Sequence, residues 1–310
     1  MNMRESAKII CLTPVKNEAW ILDDFLAATS LWADYIIVAD QMSDDGSREI
    51  ASKYEKVILI DNNSPEFNEP ERQKLLIDES RKIPGKKVLI ALDADEFLAA
   101  ESIYNGDLDK LRTLDEGAVI RFKWPFISSD FSYYWNGECN DMAFGFVDDG
   151  SDHTGRKIHS TRIPTPNNGL PHFISNISVM HFQFTDWKRM ESKHNWYQCY
   201  EKKSFPRKSV VSIFRRYSHM YRINGNDKHP IGKSWFEHYS KNDIDLKKNR
   251  VQENYYWDSL TNKMVIDNPE LYKNIDLPCN NSLILTYLRK TKRINSVFLK
   301  IVDKLISFVI

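Results

Sequence analysis

Short apolar runs alternate with amphipathic stretches through the N-terminal third of the chain. Lys8–Val15, Tyr35–Ala39, Val57–Ile60 and Val88–Leu92 carry little polar alternation, which marks strands buried on both faces of a parallel sheet. Between the first two, Trp20, Ile21, Leu22, Phe25 and Leu26 recur at helical spacing, with Asn17 placed to cap that helix. The stretch QMSDDGS has the residues that turns demand, and Arg48–Tyr54 reads as a returning helix. A polar loop over Asp61–Pro70 then leads to a helix over Glu71–Lys82. Strand-helix alternation of this kind predicts a mainly parallel sheet with right-handed crossovers and a ligand crevice outside the carboxyl ends of its strands.

The pattern changes further on. Ala118–Phe126 alternates like a fifth strand, with Pro125 near an edge, and Ser128–Asp152 reads as an irregular loop rich in rings and carboxylates. Lys157–Pro164 and Ile174–Phe184 read as two more strands. From Thr185 the apolar positions Trp187, Met190, His194 and Tyr197 follow helical intervals, whereas 215–255 contains no motif that can be read. Near the end, Val297, Phe298, Ile301, Val302, Leu305 and Ile306 share one helical face, just after the basic cluster Arg289, Lys290, Lys292 and Arg293. The 310 residues are therefore expected to divide into an α/β domain over 1–185, a mostly helical region over 186–293 and an amphipathic C-terminal helix over 294–310.

Composition narrows the partners. Lys and Arg together number 43, as do Asp and Glu, so the chain has no net field for a polyanion and nucleic acid is not an expected partner. Cys11, Cys139, Cys199 and Cys279 are far apart and lack C-x-x-C spacing, which suggests neither a zinc site nor a disulfide framework and fits a reducing cytoplasm. No apolar run reaches the length that spans a bilayer. The C-terminal helix has two readings: a peripheral contact with the anionic inner face of a membrane, or a helix docked on the protein itself or a second subunit.

The densest chemistry lies in KKVLIALDADEFL, over 86–98. Asp93, Asp95 and Glu96 arrive where the fourth strand would leave the sheet, and in an extended segment Asp93 and Asp95 point the same way. Two like charges on one face call for a cation. Hard carboxylate oxygens suit Mg²⁺ or Mn²⁺, which usually complete their shells with substrate phosphates. A bare D-x-D is otherwise no more than a pair of solvated aspartates ending a strand.

Its context is more specific. Thr13-Pro14-Val15-Lys16-Asn17-Glu18 closes the first strand, Asp40 and Ser43-Asp44-Asp45-Gly46-Ser47 close the second, and Asp93-Ala94-Asp95-Glu96 closes the fourth. In order and spacing these resemble family 2 glycosyltransferases of the GT-A fold, a Rossmann-type mixed, mainly parallel sheet flanked by helices. The resemblance implies a metal-dependent, hexosyltransferase-type enzyme of polysaccharide biosynthesis. Such an enzyme moves a sugar from a nucleoside diphosphate donor, expected to be a UDP-sugar, to a hydroxyl of a glycan or lipid-linked acceptor, with inversion. It also implies roles: Asp40 accepts a hydrogen bond from the base, Pro14 and Glu18 line the nucleoside, Asp93 faces the ribose, and Arg72 stands near the nucleotide. Asp95 would hold Mn²⁺ or Mg²⁺ on the diphosphate, with His181 completing the metal shell. His159 competes for that place, and with Lys157 and Arg162 it could instead meet phosphate.

An inverting transferase also needs a general base near the acceptor hydroxyl. The family supplies an Asp or Glu in the interval after the fifth strand, and there is no clean match here. Asp148 and Asp149, in FGFVDDG, are the first candidates, with Asp141 and Glu138 in reserve. A non-catalytic sugar-nucleotide or glycan-binding module with the same fold is the alternative. Lys188, Arg189, Lys193 and Lys202 could reach a diphosphate, although a solvated helix face explains them as well.

Overall fold

The structure is a computed structural model and describes residues 6–166, 169–248, 250, 252 and 254–291; the expected helix at 294–310 and the side chain of Glu138 lie outside the described residues. The chain separates into two compact units, one formed by Met1–Thr185 with Pro230–Arg250, the other by Asp186–His229 with Val251–Ile310.

The first unit opens with β1 (Lys8–Val15), α1 (Leu22–Ser30), β2 (Tyr35–Asp40), α2 (Ser47–Ala51), β3 (Val57–Asp61), α3 (Glu69–Arg81) and β4 (Lys87–Ala91). It continues through β5 (Glu96–Leu98), α4 (Ala100–Tyr104), α5 (Asp107–Leu111), β6 (Val119–Ile127), β7 (Tyr133–Val147) and β8 (Pro171–His181). These strands form one sheet in the order β3-β2-β1-β4-β7-β6-β8-β5. β1 to β4 are mutually parallel, β7 runs against both β4 and β6, β8 runs with β6, and β5 runs against β8. The fold is thus the expected mixed α/β architecture, a mostly parallel central sheet flanked by helices.

The apolar runs explain the layering. Alternate β1 residues enter different cores: Ile9 and Cys11 pack with Phe25 and Leu26 of α1 on one face, while Ile10 and Leu12 pack with Leu76 and Ile77 of α3 on the other. A strand covered on both faces has no solvent side to mark with polar residues, which is why its sequence does not alternate.

Three local expectations are corrected. Asn17 does not cap α1: it takes a left-handed φ of 56°, and the helix starts at Leu22 after Ile21, with no side-chain cap. Most of Ser128–Asp152 is not loop but β7, a long strand between β4 and β6; its polar first half and Gly137 and Gly145 hide the pattern. Lys157–Pro164 forms no strand and instead runs as irregular chain beside α3.

The second unit is helical, led by Trp187–Ser204, Val210–Tyr217, Tyr256–Asp267 and Leu283–Lys290. Asp186 caps the first of these helices by accepting from Arg189 N–H at 3.1 Å. Two of the basic residues weighed for a diphosphate are already engaged inside this unit. Arg189 is only 2% exposed, with its guanidinium 4.7 Å from the Trp257 ring. Lys202 donates to the carbonyls of Pro206 and Lys208 at 2.7 and 3.0 Å. No helix among the described residues is long and apolar enough to cross a membrane.

Candidate functional site

The site grows from the carboxyl ends of β1, β2 and β4, which the sheet register brings level. Val15 pairs with Asp40, Asp40 with Asp61, and Leu12 with Ala91. The loops after β1 and β2 are laced together by short polar side chains. Asn17 N–H donates to Ser43 Oγ at 2.9 Å, and Glu18 N–H to Ser47 Oγ at 2.9 Å. Ala19 N–H donates to Asp45 Oδ2 at 2.9 Å, while Asn17 and Asp44 exchange hydrogen bonds of 2.9 and 3.0 Å. These bonds account for the left-handed Asn17, a residue type that tolerates that conformation. They hold Glu18 at the strand ends, where Pro14 already sits in β1 opposite Ala39, and Glu18 Oε2 accepts from Trp20 Nε1 at 2.6 Å.

Asp40 is 4% exposed at the floor of this lacing. Its Oδ2 accepts from Ser43 N–H at 3.3 Å and lies 3.7 Å from the Arg48 guanidinium. Its Oδ1 is buried with no hydrogen-bond partner among the described residues. A buried acceptor left open is costly unless a further donor meets it. Arg72 stands in the first turn of α3, its guanidinium 5.0 Å from the Phe67 ring.

Beyond β4 the chain does not stay extended. Glu96 N–H donates back to Asp93 O at 3.0 Å, and Asp93 N–H donates to Glu96 Oε2 at 2.9 Å. This turn splits the D-x-D, so Asp93 and Asp95 do not share a face as an extended segment would require. Asp93 is part-exposed, and its Oδ2 accepts from Arg162 at 3.1 Å. Asp95 is 2% exposed and turns toward β8. Glu96 and His181 are register partners there, Phe182 N–H donates to Asp95 O at 2.8 Å, and His181 Nε2 lies 3.7 Å from Asp95 Oδ1.

Glu96, Arg162 and Trp124 complete the cluster, and pattern reading assigned them no role of this kind. Arg162 spans both oxygens of Glu96, bonding Oε1 at 2.8 Å and making a close contact with Oε2. Trp124 Nε1 donates to Glu96 Oε1 at 2.8 Å. The Trp124 ring stacks on His181, with centroids 5.1 Å apart and planes 12° from parallel. Burial pushes the Glu96 carboxyl up, as does neighbouring Asp93, while Arg162 and His181 pull it down; the net direction is upward. The one sequence signal for Glu96 was its place directly after D-A-D. Arg162 was legible only as a candidate phosphate contact on an expected strand, because nothing local shows that its irregular loop brings it to Glu96 and Asp93.

That loop also explains what became of the expected bases. β7 runs against β4, with Val147 opposite Val88, and Asp148 N–H donates to Lys87 O at 3.0 Å. Asp148 and Asp149 therefore sit at the amino ends of the parallel strands, about 15–20 Å from Asp93 by strand rise. The Asp148 carboxylate pairs with Arg81 at the end of α3 at 2.9 Å, and Asp149 Oδ1 accepts from Ser151 N–H at 3.0 Å. Asp141 pairs with Arg121 at 2.5 Å, midway along the β6–β7 ladder. The loop then travels back along α3. Arg81 donates to Ser151 O at 2.8 Å, Lys74 lies 3.6 Å from Asp152, and Ser160 N–H donates to Glu69 Oε2 at 2.6 Å. It thereby delivers Arg162 to the carboxyl ends. His159, the competitor of His181, takes a left-handed φ of 58° beside that Ser160 anchor, and Lys157 pairs with Glu66 at 3.2 Å.

A carboxylate oxygen and an imidazole nitrogen 3.7 Å apart fit a divalent cation that takes its remaining ligands from water or a diphosphate. His181 Nδ1 is buried without a hydrogen-bond partner among the described residues. No group of three or more His, Cys, Asp or Glu among them converges as a closed metal cage.

No protein-family model matches the chain, and no curated protein matches it in sequence. Among solved structures it is similar to mannosyl-3-phosphoglycerate synthase from Rubrobacter xylanophilus, at 15% identity and a TM-score of 0.30, over 39% of this chain and 41% of that one. It is similar to GalNAc-T7, solved with UDP, GalNAc and Mn²⁺, at 12% identity and a TM-score of 0.42, over 78% of this chain and 59% of that one. It is also similar to HddC from Yersinia pseudotuberculosis, at 12% identity and a TM-score of 0.29, over 56% of this chain and 93% of that one. The chain thus spans 41% and 59% of the lengths of the first two.

Proposed function

We propose that the chain is a glycosyltransferase that moves a sugar from a nucleoside diphosphate, a UDP-sugar in the first instance, to a hydroxyl of a glycan or lipid-linked acceptor, with inversion. The observation that carries this reading is that Asp40 at the end of β2, Asp93 and Asp95 just after β4, and His181 at the end of β8 lie on the carboxyl-end side of a mainly parallel sheet, with His181 3.7 Å from Asp95. The open Oδ1 of Asp40 would accept a hydrogen bond from the base, and Asp93 would face the ribose. Pro14 and Glu18 would line the nucleoside, with Arg72 near it. Asp95 and His181 would hold Mn²⁺ or Mg²⁺. When bound, that ion supplies positive charge against the negative charge growing on the departing diphosphate.

The decisive measurement is donor binding and transfer across a panel of nucleotide sugars, with and without Mn²⁺. Metal-dependent binding together with transfer or slow donor hydrolysis is expected, and a panel in which nothing binds defeats the proposal. One observation favours the second reading, a non-catalytic sugar-nucleotide or glycan-binding module: Asp148 and Asp149 lie at the opposite edge, and Asp141 is held by Arg121. Binding without turnover on any acceptor or water would select that module.

A further inference from the structure

Glu96 touches both halves of the candidate site. On one side it accepts Asp93 N–H through Oε2 and holds Arg162, which in turn holds Asp93 Oδ2. On the other it accepts Trp124 Nε1, whose ring lies flat on His181, and His181 faces Asp95. The side chain of Glu96 is fully buried. Arg162 is partly buried, with its guanidinium 5.1 Å from the Phe144 ring and 5.7 Å from the Trp124 ring. Four directed contacts are committed on this guanidinium: Ala91 O, Asp93 Oδ2 and the two oxygens of Glu96. A guanidinium engaged in this way orients carboxylates and is poorly placed to meet a phosphate.

We infer that Glu96 and Arg162 form a positioning pair that couples the nucleoside side of the site, at Asp93, to the metal side, at His181 and Asp95. This inference rests on the nucleotide-sugar reading above. Asp93 faces its ligand because Arg162 fixes one of its oxygens, and the ring of His181, whose backbone the β5–β8 pairing places beside Asp95, keeps its orientation because Trp124 is pinned to Glu96. A bidentate charged pair supplies the geometric restraint that one ammonium would not. The two half-sites therefore share a buried anchor, and disturbing it weakens both.

The test separates the halves with partial ligands. Mn²⁺ affinity is read without nucleotide by paramagnetic resonance, and uridine affinity is read without metal by calorimetry. Asp95→Asn is expected to lower Mn²⁺ affinity alone, and Asp93→Asn uridine affinity alone. Glu96→Gln and Arg162→Lys are expected to lower both together, by about tenfold, as supporting-residue changes at metal sites do. Trp124→Phe, which keeps the stack but removes the donor to Glu96, is expected to lower Mn²⁺ affinity and spare uridine. Circular dichroism and melting temperature accompany every variant, and Arg162→Lys and Trp124→Phe keep the test alive if Glu96→Gln does not fold. Variants that melt lower yet bind Mn²⁺ and uridine like the parent would overturn the coupling and leave a merely structural pair. A parent protein that binds neither ligand would overturn the nucleotide-sugar reading itself, and this inference with it.

Discussion

Nε2 of His181 stands 3.7 Å from Oδ1 of Asp95, and the backbone arranges it: the strand carrying His181 runs against β5, and Phe182 N–H is bonded to Asp95 O. Replacing either side chain is expected to weaken Mn²⁺ binding by about tenfold or more, as loss of a metal-supporting group does. His181 is also packed against Trp124 and Phe126, so His181→Ala should cost roughly 1–3 kcal/mol through the cavity it leaves. Mn²⁺ titration of folded protein distinguishes the two effects. If His181→Ala lost stability but kept full Mn²⁺ affinity, it would be a core histidine and no ligand.

A second prediction separates Asp148 from chemistry. Its carboxylate is 10% exposed and bridges Arg81, and Gly150 N–H also donates to it at 3.2 Å. Asp148→Asn should therefore lower unfolding stability by about 1–2 kcal/mol, since it weakens a charged, part-buried bond. Donor binding and any turnover should stay at the parent level. A large fall in turnover with unchanged stability would restore Asp148 as a base despite its distance from Asp93.

These two sites show what the sequence could and could not reveal. Periodicity located each of the first four strands to within about a residue, because a doubly buried strand must be apolar along its length. That the D-x-D follows the end of the fourth strand and that His181 ends another was legible from the apolar runs before them. The direction of β7 was not: a polar, glycine-containing strand inserted between β4 and β6 runs against both, so its carboxyl end lies at the amino ends of the parallel strands. That reversal carried Asp148 and Asp149 to the far edge. The turn from Asp93 to Glu96 was hidden for a different reason, since it depends on the Glu96 side chain bonding back to the Asp93 N–H and on Arg162 arriving from a distant loop.

A third prediction concerns the lacing of the first two loops. Asp45 accepts from Ala19 N–H through Oδ2, and from Ser47 N–H and Oγ–H through Oδ1 at 3.0 and 2.6 Å. Asp45→Ala would leave these donors to water and free the segment that carries Asn17 and Glu18. The expected loss is about 1–2 kcal/mol in urea unfolding, comparable to loss of a helix cap. Nucleoside affinity should fall with it, because the segment that carries Glu18 would no longer be held at the strand ends. Affinity that survives intact would detach this loop from the site.

The last prediction is a pH dependence at the opposite end of the sheet, where it can be read without disturbing the site. Asp34 Oδ2 accepts from Ile9 N–H at 2.7 Å and from Arg112 at 2.6 Å, and Arg112 also donates to Ala7 O at 2.7 Å. Partial burial pushes the Asp34 carboxyl up, but the hydrogen bonds from Arg112 and Ile9 outweigh it and hold the group below its ordinary value. A carboxyl with a depressed folded pKa stabilises the fold above its unfolded value, and that contribution disappears as pH falls through the folded value. Asp34 is 36% exposed, so solvent screening limits the expected effect to about 0.5–1 kcal/mol, less at high salt. Urea unfolding of the parent and of Asp34→Asn should therefore differ near neutral pH and converge in acid below about pH 4, the ordinary aspartate range. A gap that stays constant across that interval would mean that Asp34 acts through its shape and hydrogen bonds alone, with no contribution from its charge.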